Sequence, residues 1–187
     1  QRFGALIAAS NTGAWEFDST THDLWWSREY FTMLGYGAEG PLPSVTDTLH
    51  DHWVALLHPD DQERSANTFA NYLKAPLGMY ESTFRMRHAE GHWVWIWSRG
   101  RTLTDADGNP TSLTVGTHID ITDRKEAEDR LAASELRYRQ TLDNMLEGVQ
   151  IIGFDWRYQY VNDAVTKHGG LTAQQMLGRT MAECYPG

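Results

Sequence analysis

The chain has 187 residues and a formal net charge of −9, with 16 Lys and Arg against 25 Asp and Glu. This length is typical of one domain or a domain and a part, and 41% hydrophobic residues suffice for a packed core. The acidic balance disfavours nucleic-acid binding, because phosphate contacts need a basic face. A single cysteine excludes a disulfide framework. No apolar run reaches the roughly 18 residues of a membrane span, and no signal-peptide pattern begins the sequence.

The first copy of an internal repeat begins at Gly13, and the second begins 135 residues later at Gly148. The same shift places Trp25-Trp26-Ser27 on Tyr160-Val161-Asn162. In each copy a helical stretch leads to a glycine, an alternating apolar segment, a turn, a short strand and a capping residue. We interpret this pattern as two copies of one module.

The first copy begins with two predicted strands. Trp15 and Phe17 alternate with polar residues, as in a half-buried strand. A second short strand ends before Ser27, a favoured N-cap residue. A longer helix is predicted to begin at Pro59, followed by acidic residues in its first turn, and to end before Pro76.

Three alternating segments then predict an antiparallel meander, with turns at Glu90-Gly91 and Asp107-Gly108. The residues that share one face of each segment are Tyr80, Phe84 and Met86, then Trp93, Trp95 and Trp97, then Leu113, Val115, Ile119 and Ile121. Two strands, several helices and three further strands predict an α+β fold with helices packed on an antiparallel sheet.

The segment after the meander is polar and helical, and Asp123 with Glu126 resembles a capping box. Its apolar positions recur at alternating fours and threes, which indicates a narrow seam for a partner helix. The seam consists of Ala127, Leu131, Tyr138 and Leu142.

The second copy contains the strand pair and early helices but not the longer helix or the meander, so we expect the sequence to be a fragment of a longer protein. The predicted division is an N-terminal flanking helix at 1–12, a complete domain at 13–122, a connecting helix at 123–147 and a partial second domain at 148–187.

The motifs that carry a family resemblance are Gly13-Ala14-Trp15-Glu16-Phe17-Asp18, Trp26-Ser27, Met33-Leu34-Gly35-Tyr36, His58-Pro59-Asp60-Asp61, Gly91-His92-Trp93-Val94-Trp95, Asp107-Gly108 and Asp120-Ile121-Thr122. In this order they resemble the PAS domain superfamily, in particular the bacterial subgroup with a Trp-rich meander and a C-terminal Asp-Ile-Thr motif. The second copy resembles the opening of another such domain through Gly148, Tyr160-Val161-Asn162 and Leu177-Gly178-Arg179.

The resemblance implies a PAS fold, in which helices flank a five-stranded antiparallel sheet, used as a sensory input module in bacterial signal transduction. Family members commonly precede histidine kinase, diguanylate cyclase or phosphodiesterase domains and often dimerise through flanking helices. It therefore implies a homodimer, a covalently linked downstream domain and a small-molecule ligand. The implied location is cytoplasmic, which includes the cytoplasmic part of a membrane-bound sensor.

Candidate residues for a ligand or cofactor pocket are Trp15, Phe31, Phe69, Tyr80, Phe84, Trp93 and Trp95. Aromatic faces suit a planar ligand such as a non-covalent flavin, although no flavin motif is present. The alternative is that the Trp face fills the core between sheet and helices or forms a dimer face. The cofactor therefore stays unknown at this point.

Other cofactor classes are disfavoured. Cysteinyl-flavin photochemistry in this family needs an Asn-Cys-Arg-Phe-Leu-Gln run, whereas the only cysteine is Cys184, which we interpret as a half-buried spectator thiol. A haem-binding relative would supply an axial His from the longer helix, and 60–75 contains none; His58 just before it is expected to cap the helix. His50 and His52 point to different sides of a helix or strand, so no metal site is predicted.

The Asp-Ile-Thr motif stands where the last strand meets the exit helix. Side chains at Asp120, Thr122 and Asp123 can bond backbone groups at a helix start. In the family this motif is associated with passing strain from sheet to helix; a purely structural cap is the alternative, and the two are compatible.

We find no phosphate-cradling loop, metalloprotease motif or nucleophile elbow in the sequence, so no catalytic residue is predicted. Kinase or cyclase chemistry is expected outside this chain. Three functions follow from these observations: a sensory relay through the Asp-Ile-Thr junction, a ligand-free dimerisation scaffold, and a small enzyme on a similar cone-shaped α+β fold. The enzyme would need a carboxylate–His pair in a pocket, which no constellation offers.

Overall fold

The structure is a computed structural model that describes residues 12–37 and 49–186. It divides into two compact units, Gln1–Lys125 and Glu126–Gly187. The predicted flanking helix at 1–12 lies, except for its last residue, outside the described residues. Among the described helices, none combines the length and the apolar character needed to cross a bilayer.

The first unit is the predicted α+β fold. Its strands are β1 (Gly13–Asp18), β2 (Leu24–Trp26), β3 (Tyr80–Arg87), β4 (Trp93–Thr104) and β5 (Pro110–Asp120). Its helices are α1 (Arg28–Met33), α2 (Leu49–Leu56), α3 (Pro59–Lys74) and the start of α4 (Thr122–Asp143). The strands form one antiparallel sheet in the order β2-β1-β5-β4-β3, which confirms the five-stranded sheet.

Helices α1 to α3 supply large side chains to one face of this sheet. The buried core of the first unit consists of Trp15, Phe17, Trp26, Tyr30, Leu34, Trp53, Leu56, Leu57, Phe69, Tyr80, Phe84, Met86, Val94 and Ile96. On β4 the buried positions are the even-numbered ones, so the side chains of the odd-numbered tryptophans lie on the opposite face. Burial of this aromatic core is the main source of stability for the unit.

Helix α3 is fixed at its N-terminus by the His-Pro-Asp-Asp motif. Nδ1 of His58 accepts a hydrogen bond from the backbone N–H of Asp60 (3.2 Å), which confirms the predicted capping role. The buried Asp61 carboxylate accepts bonds from Nε (2.8 Å) and the backbone N–H (3.0 Å) of Arg85 on β3. Burial would raise the pKa of Asp61, but the bonds from Arg85 and Arg64 outweigh it and lower the pKa to about 2. This ion pair ties the helix to the sheet.

The second unit contains a smaller assembly. After α4 its elements are β6 (Gln150–Ile152), β7 (Tyr158–Val161), α5 (Asp163–Gly169), α6 (Ala173–Met176) and α7 (Met181–Cys184). The two strands pair antiparallel, and the buried cluster consists of Tyr158, Val161 and Met176.

The same arrangement of hydrogen bonds, here called the corner, occurs once in each unit. It surrounds the residue that caps the helix after a strand, which is Ser27 in the first unit and Asn162 in the second. In the first unit the Ser27 hydroxyl accepts from the backbone N–H groups of Ala14 (3.1 Å) and Tyr30 (3.4 Å). In the second, Oδ1 of Asn162 accepts from the N–H groups of Val149 (2.9 Å) and Val165 (3.1 Å). Each partner is 135 residues from its counterpart, so the sequence repeat corresponds to a repeated set of hydrogen bonds.

Candidate functional site

A small cavity lies at the centre of the first unit, between the sheet and the helices. It encloses about 30 Å³ and is lined by Trp15, Phe17, Leu24, Trp26, Trp53, Phe69, Tyr80, Ser98 and His118. Three predicted pocket residues, Trp15, Phe69 and Tyr80, are among them. A space of this volume is large enough for one or two water molecules.

Glycines on two neighbouring strands make room for the Trp15 indole beside the cavity. A Cβ atom at Gly116 would lie 2.4 Å from the Trp15 ring and 2.2 Å from the carbonyl oxygen of Arg99, and one at Gly100 would lie 2.6 Å from the ring. The ring meets Phe69 and Tyr80 edge to face, at centroid distances of 5.8 and 6.0 Å. The indole is therefore held in one orientation by backbone and rings together.

Two polar atoms beside the cavity lack a hydrogen-bond partner within the described part of the chain: Nε1 of Trp15 and Nδ1 of His118. Only 4% of the His118 surface is exposed, and its ring lies 5.1 Å from that of Tyr30 and 5.6 Å from that of Phe84. Burial lowers the pKa of His118 to about 3. The imidazole is therefore neutral at pH 7, and the cavity offers an indole donor and an imidazole nitrogen to a polar occupant.

A larger open groove adjoins the cavity on the side of α3. It measures about 470 Å³ and is lined by Phe17, Ser19, His22, Ala66, Asn67, Phe69, Ala70, Leu73 and Lys74. Phe17 and Phe69 line both spaces and meet edge to face at 5.2 Å. These two rings form the wall between groove and cavity.

The remaining predicted pocket residues lie elsewhere. Phe84 is fully buried beside His118, and Phe31 is half-buried against Trp26. Trp93 and Trp95 are on the face of the sheet opposite the cavity, because Val94 and Ile96 occupy the buried face of β4. This placement corrects the expectation that Trp93 and Trp95 line the pocket, and equally the alternative that they fill the core between sheet and helices.

The Trp face is the outer face of the sheet, which carries Trp93, Trp95 and Trp97. Arginine guanidinium groups, and not a ligand pocket, lie against its rings. The guanidinium of Arg85 lies 5.2 Å from the Trp95 ring, and that of Arg99 lies 4.9 Å from the Trp97 ring. Nε1 of Trp97 also donates to Glu81 across the strand pair (2.8 Å). These cation–π contacts cover half-buried rings on this face.

The Asp-Ile-Thr motif links three elements. Oδ1 of Asp120 accepts from the backbone N–H of Thr122 (2.8 Å), the Thr122 hydroxyl accepts from the N–H of Trp95 (2.9 Å), and the N–H of Ile121 donates to the Trp95 carbonyl (2.8 Å). The end of β5, the start of α4 and the first part of β4 are thus held together. Asp123 lies in the first turn of α4, so it is not the N-cap residue that the sequence suggested.

The four predicted seam residues do not share one environment. Ala127, Leu131 and Tyr138 are exposed on α4, with 62% of Leu131 accessible, whereas Leu142 is buried in the second unit. The dimer seam on α4 stays a prediction.

The described residues do not fit the larger cofactors considered from the sequence. A cavity of about 30 Å³ is far below the roughly 300 Å³ of a typical ligand pocket, so a flavin ring system would enter beside Trp15 only if the surrounding rings moved apart. Cys184 is half-buried, as predicted, with Sγ 4.0 Å from the carbonyl oxygens of Gln175 and Met176.

Sequence reasoning missed six of the residues that line the cavity: Phe17, Leu24, Trp26, Trp53, Ser98 and His118. A signal for His118 was present in β5, where it alternates with Gly116 and Thr114 on one face. The side chains on that face are small and polar, so the sequence favoured the more apolar residues of the opposite face as the buried set.

Comparison with known proteins gives a consistent result. A family model described as the PAS fold matches residues 23–117, about half of the chain. A two-component sensor, PprA of Pseudomonas aeruginosa, is 28% identical over 134 residues, which are 70% of this chain and 14% of the relative. The probable diguanylate cyclase DgcE of Escherichia coli is 21% identical over 95% of this chain and 15% of its own length. The chain therefore spans about one seventh of these relatives.

Among solved structures, a sensory box histidine kinase/response regulator from Burkholderia thailandensis superposes with a TM-score of 0.57 at 28% identity. The match covers 75% of this chain and 99% of that one. The N-terminal domain of a diguanylate cyclase with a PAS/PAC sensor from Marinobacter aquaeolei gives a TM-score of 0.50 at 22% identity, over 61% and 98% of the two chains, and supports the fold alone.

Proposed function

Because this chain belongs to the PAS fold family and is a sensory module of signal transduction, we propose that it senses a small polar ligand in the central cavity. We further propose that it relays this state through the Asp120–Thr122 junction to α4. In this proposal the output is a histidine kinase or a diguanylate cyclase domain elsewhere in the full-length protein, as in the relatives named above.

One observation carries the proposal: the cavity and the junction are two residues apart on the same strand. His118 lies beside the cavity near the end of β5, and Asp120, on the same face, accepts the N–H that begins α4. Strand β5 is the central strand of the sheet, bonded to both β1 and β4. A change in the position of His118 therefore displaces the residues that hold the helix.

The chemistry of the cavity indicates the ligand class. Trp15 supplies a donor only, and neutral His118 supplies a donor or an acceptor according to its tautomer. An uncharged ligand with a carbonyl or hydroxyl group matches both, whereas a charged ligand would lose its hydration without a counter-charge. Entry through the groove requires Phe17 or Phe69 to move.

Relay requires two states with different ligand affinity. The rings close on about 30 Å³ in the structure described above; in the proposed bound state Phe69 moves outward with α3 and β5 shifts at His118. In the predicted homodimer, this shift would change the contacts that the exposed seam of α4 makes at Ala127, Leu131 and Tyr138. The proposed location of the whole protein is cytoplasmic, or on the cytoplasmic side of a membrane.

Asp120→Ala in the full-length protein tests the junction. We expect the fold to persist, because Asp120 is exposed, and the output to stop responding to the input. The matched control is Asp129→Ala, the same substitution at an exposed position of α4 away from the junction. An unchanged response in Asp120→Ala, equal to the control, contradicts the relay.

The ligand is tested by native mass spectrometry and an absorption spectrum of the freshly purified chain. A small bound mass that is lost in His118→Phe supports the proposal, since phenylalanine fills the imidazole site without a polar atom. A visible absorption band that survives this substitution contradicts it, because a chromophore would then bind elsewhere.

A ligand-free dimerisation scaffold is the second candidate, and the small volume of the cavity favours it. This function predicts concentration-dependent dimers that Leu131→Asp dissociates while thermal stability is retained, since Leu131 is exposed. Light scattering during size-exclusion chromatography measures the outcome, with Asp129→Ala as the control. A monomer at all concentrations contradicts the scaffold.

A further inference from the structure

A cluster of two histidines and a glutamate lies at the β3–β4 hairpin turn, on the sheet but outside the cavity and the junction. One potential ligand atom from each of His88, Glu90 and His92 lies within 4.8 Å of the others. Oε2 of Glu90 is 3.9 Å from Nδ1 of His88 and 4.0 Å from Nδ1 of His92. The imidazole rings are stacked, with centroids 4.1 Å apart.

These separations are close to those of a coordination sphere. Tetrahedral zinc with bonds of about 2.0–2.1 Å places its ligand atoms about 3.3–3.4 Å apart. Each Nδ1–Oε2 pair would have to shorten by about 0.5–0.7 Å to share one ion. The more exposed ring, that of His92, would also have to turn out of the stack, because each imidazole lone pair lies in its own ring plane. Two imidazoles and one carboxylate leave a fourth position for water, which is the ligand set of an open zinc site.

The hairpin backbone holds the two histidines in place. The backbone N–H of His88 donates to the His92 carbonyl (2.9 Å), and the N–H of Ala89 donates to the carbonyl of Leu34 at the end of α1 (2.9 Å). A Cβ atom at Gly35 would lie 2.2 Å from the His88 ring, so the imidazole packs directly on that glycine. Only 17% of the His88 side chain is exposed, against 54% for His92 and 80% for Glu90.

Binding of an ion by His88 would break one existing hydrogen bond. Nδ1 of His88 accepts the backbone N–H of Glu90 (3.2 Å), and coordination through this nitrogen would replace that bond. The N–H lies in an exposed turn, where water takes the place of the imidazole, so the exchange costs little.

From this geometry we propose that His88, Glu90 and His92 form a binding site for a divalent transition-metal ion of the zinc type, separate from the ligand cavity. Nitrogen donors select Zn²⁺ and Cu²⁺ over Mg²⁺ and Ca²⁺, which prefer oxygen ligands. The overall net charge of −9 adds attraction for a cation.

The test is a Zn²⁺ titration of the untagged chain in competition with a chromophoric chelator. We expect one high-affinity ion per chain, at least about tenfold weaker binding in His92→Ala, and a smaller loss in Glu90→Gln. His168→Ala, which removes an exposed histidine in the second unit, is the matched control and should bind as the parent does. Excess Mg²⁺ should not displace the zinc.

Amide hydrogen exchange provides a readout that surface adsorption would not change. Zinc should slow exchange of the His88 and Ala89 amides, whose bonds close the hairpin and reach α1. Equal affinity in His92→Ala and the parent, displacement by Mg²⁺, or unchanged exchange at these amides would each overturn the site. All of these results are independent of the cavity and of the proposed relay.

Discussion

The two units contain the same corner but differ in what is built on it. In the described part of the first unit, Ser27 supports a five-stranded sheet whose buried cluster joins fourteen hydrophobic side chains; in the second unit, Asn162 supports two strands whose buried cluster joins three. The corner is a local device whose bonds recur at 135-residue spacing, whereas the aromatic core depends on strands far apart in sequence. We propose that the second unit is the start of a further PAS domain, because it repeats the corner in full.

The Asn162 corner also does more than its counterpart. Its amide nitrogen donates to the carbonyls of Leu142 (3.0 Å) and Glu147 (2.9 Å), the last of which directly precedes the repeat. A serine has no second polar group for this purpose. The difference shows how one substitution within a repeat can attach a unit to the end of the helix that leads into it.

The largest expected effect is a loss of folding stability at acidic pH, and it is confined to the first unit. His118 has a pKa of about 3 when folded and about 6.5 when unfolded, so the unfolded chain binds one more proton between these values. Stability therefore rises with pH and is lost as the pH falls, by about 1.4 kcal/mol per pH unit between about 6 and 4.

Amide exchange between pH 6 and 4, corrected for intrinsic rates, measures this loss, with amides of the second unit as the internal reference. His118→Gln removes the titration and should flatten the slope, although it lowers stability at pH 7. An unchanged slope in that variant means that another group carries the acid dependence.

The face assignment of the sheet shows what the sequence could and could not predict. Ser27, Pro59 and the succession of strands and helices along the chain have local signals, so the Ser27 cap, the start of α3 and the α+β class were predictable, whereas the five-stranded sheet was implied by the family resemblance. The buried face was not predictable, because the more hydrophobic set of β4, Trp93, Trp95 and Trp97, lies on the outer side. The helix side needs small residues such as Gly116 to admit Trp15, and size complementarity between distant strands has no local signal.

For the same reason only three of the nine described residues that line the cavity could be predicted. Trp15, Phe69 and Tyr80 are large apolar residues whose burial follows from hydrophobicity. His118 is polar, and nothing in its own sequence neighbourhood indicates that the register of β1, β4 and β5 places it opposite Gly13 and Ser98.

Asn162→Ala removes the capping side chain of the second corner, and we expect it to cause the next largest loss of stability. The variant leaves the N–H groups of Val149 and Val165 and the carbonyl of Glu147 without this partner, whereas the Leu142 carbonyl keeps a bond from the N–H of Met145 (3.3 Å). We expect the second unit to lose about 3 kcal/mol of protection against exchange, given roughly 1 kcal/mol or more per buried unpaired group after partial solvation. Protection of the Val149 and Val165 amides measures it.

Asn162→Ser is the informative control, because it converts the second corner to the chemistry of the first. It should restore the two acceptor bonds but not those to Leu142 and Glu147, and so recover only part of the loss. Full recovery would show that the donor bonds contribute nothing.

Asp61→Asn tests the ion pair that joins α3 to β3. Among the described residues, only the first unit has this feature. Asp61 has a pKa lowered to about 2, so its stabilisation is present above the unfolded value of about 3.9 and is lost as the pH falls from about 4 to 2. At pH 7 the variant should cost about 2 kcal/mol in urea unfolding. The control is Glu63→Gln, at an exposed position of the same helix, because the Asp60 carboxylate itself lies 3.6 Å from Arg85. Equal costs for the two variants would contradict a specific tie.

The smallest effect is expected for Ser27→Ala, at the first corner. It removes one acceptor shared by two N–H groups, those of Ala14 and Tyr30, and N-cap losses of this kind cost about 1 kcal/mol. Exchange at these two amides should accelerate less than at the corresponding amides in Asn162→Ala. Since the backbone N–H of Ser27 also bonds the Ala14 carbonyl (2.9 Å), the corner itself should persist. A loss as large as that of Asn162→Ala would mean that cap strength is set by the surrounding core and not by the number of bonds at the corner.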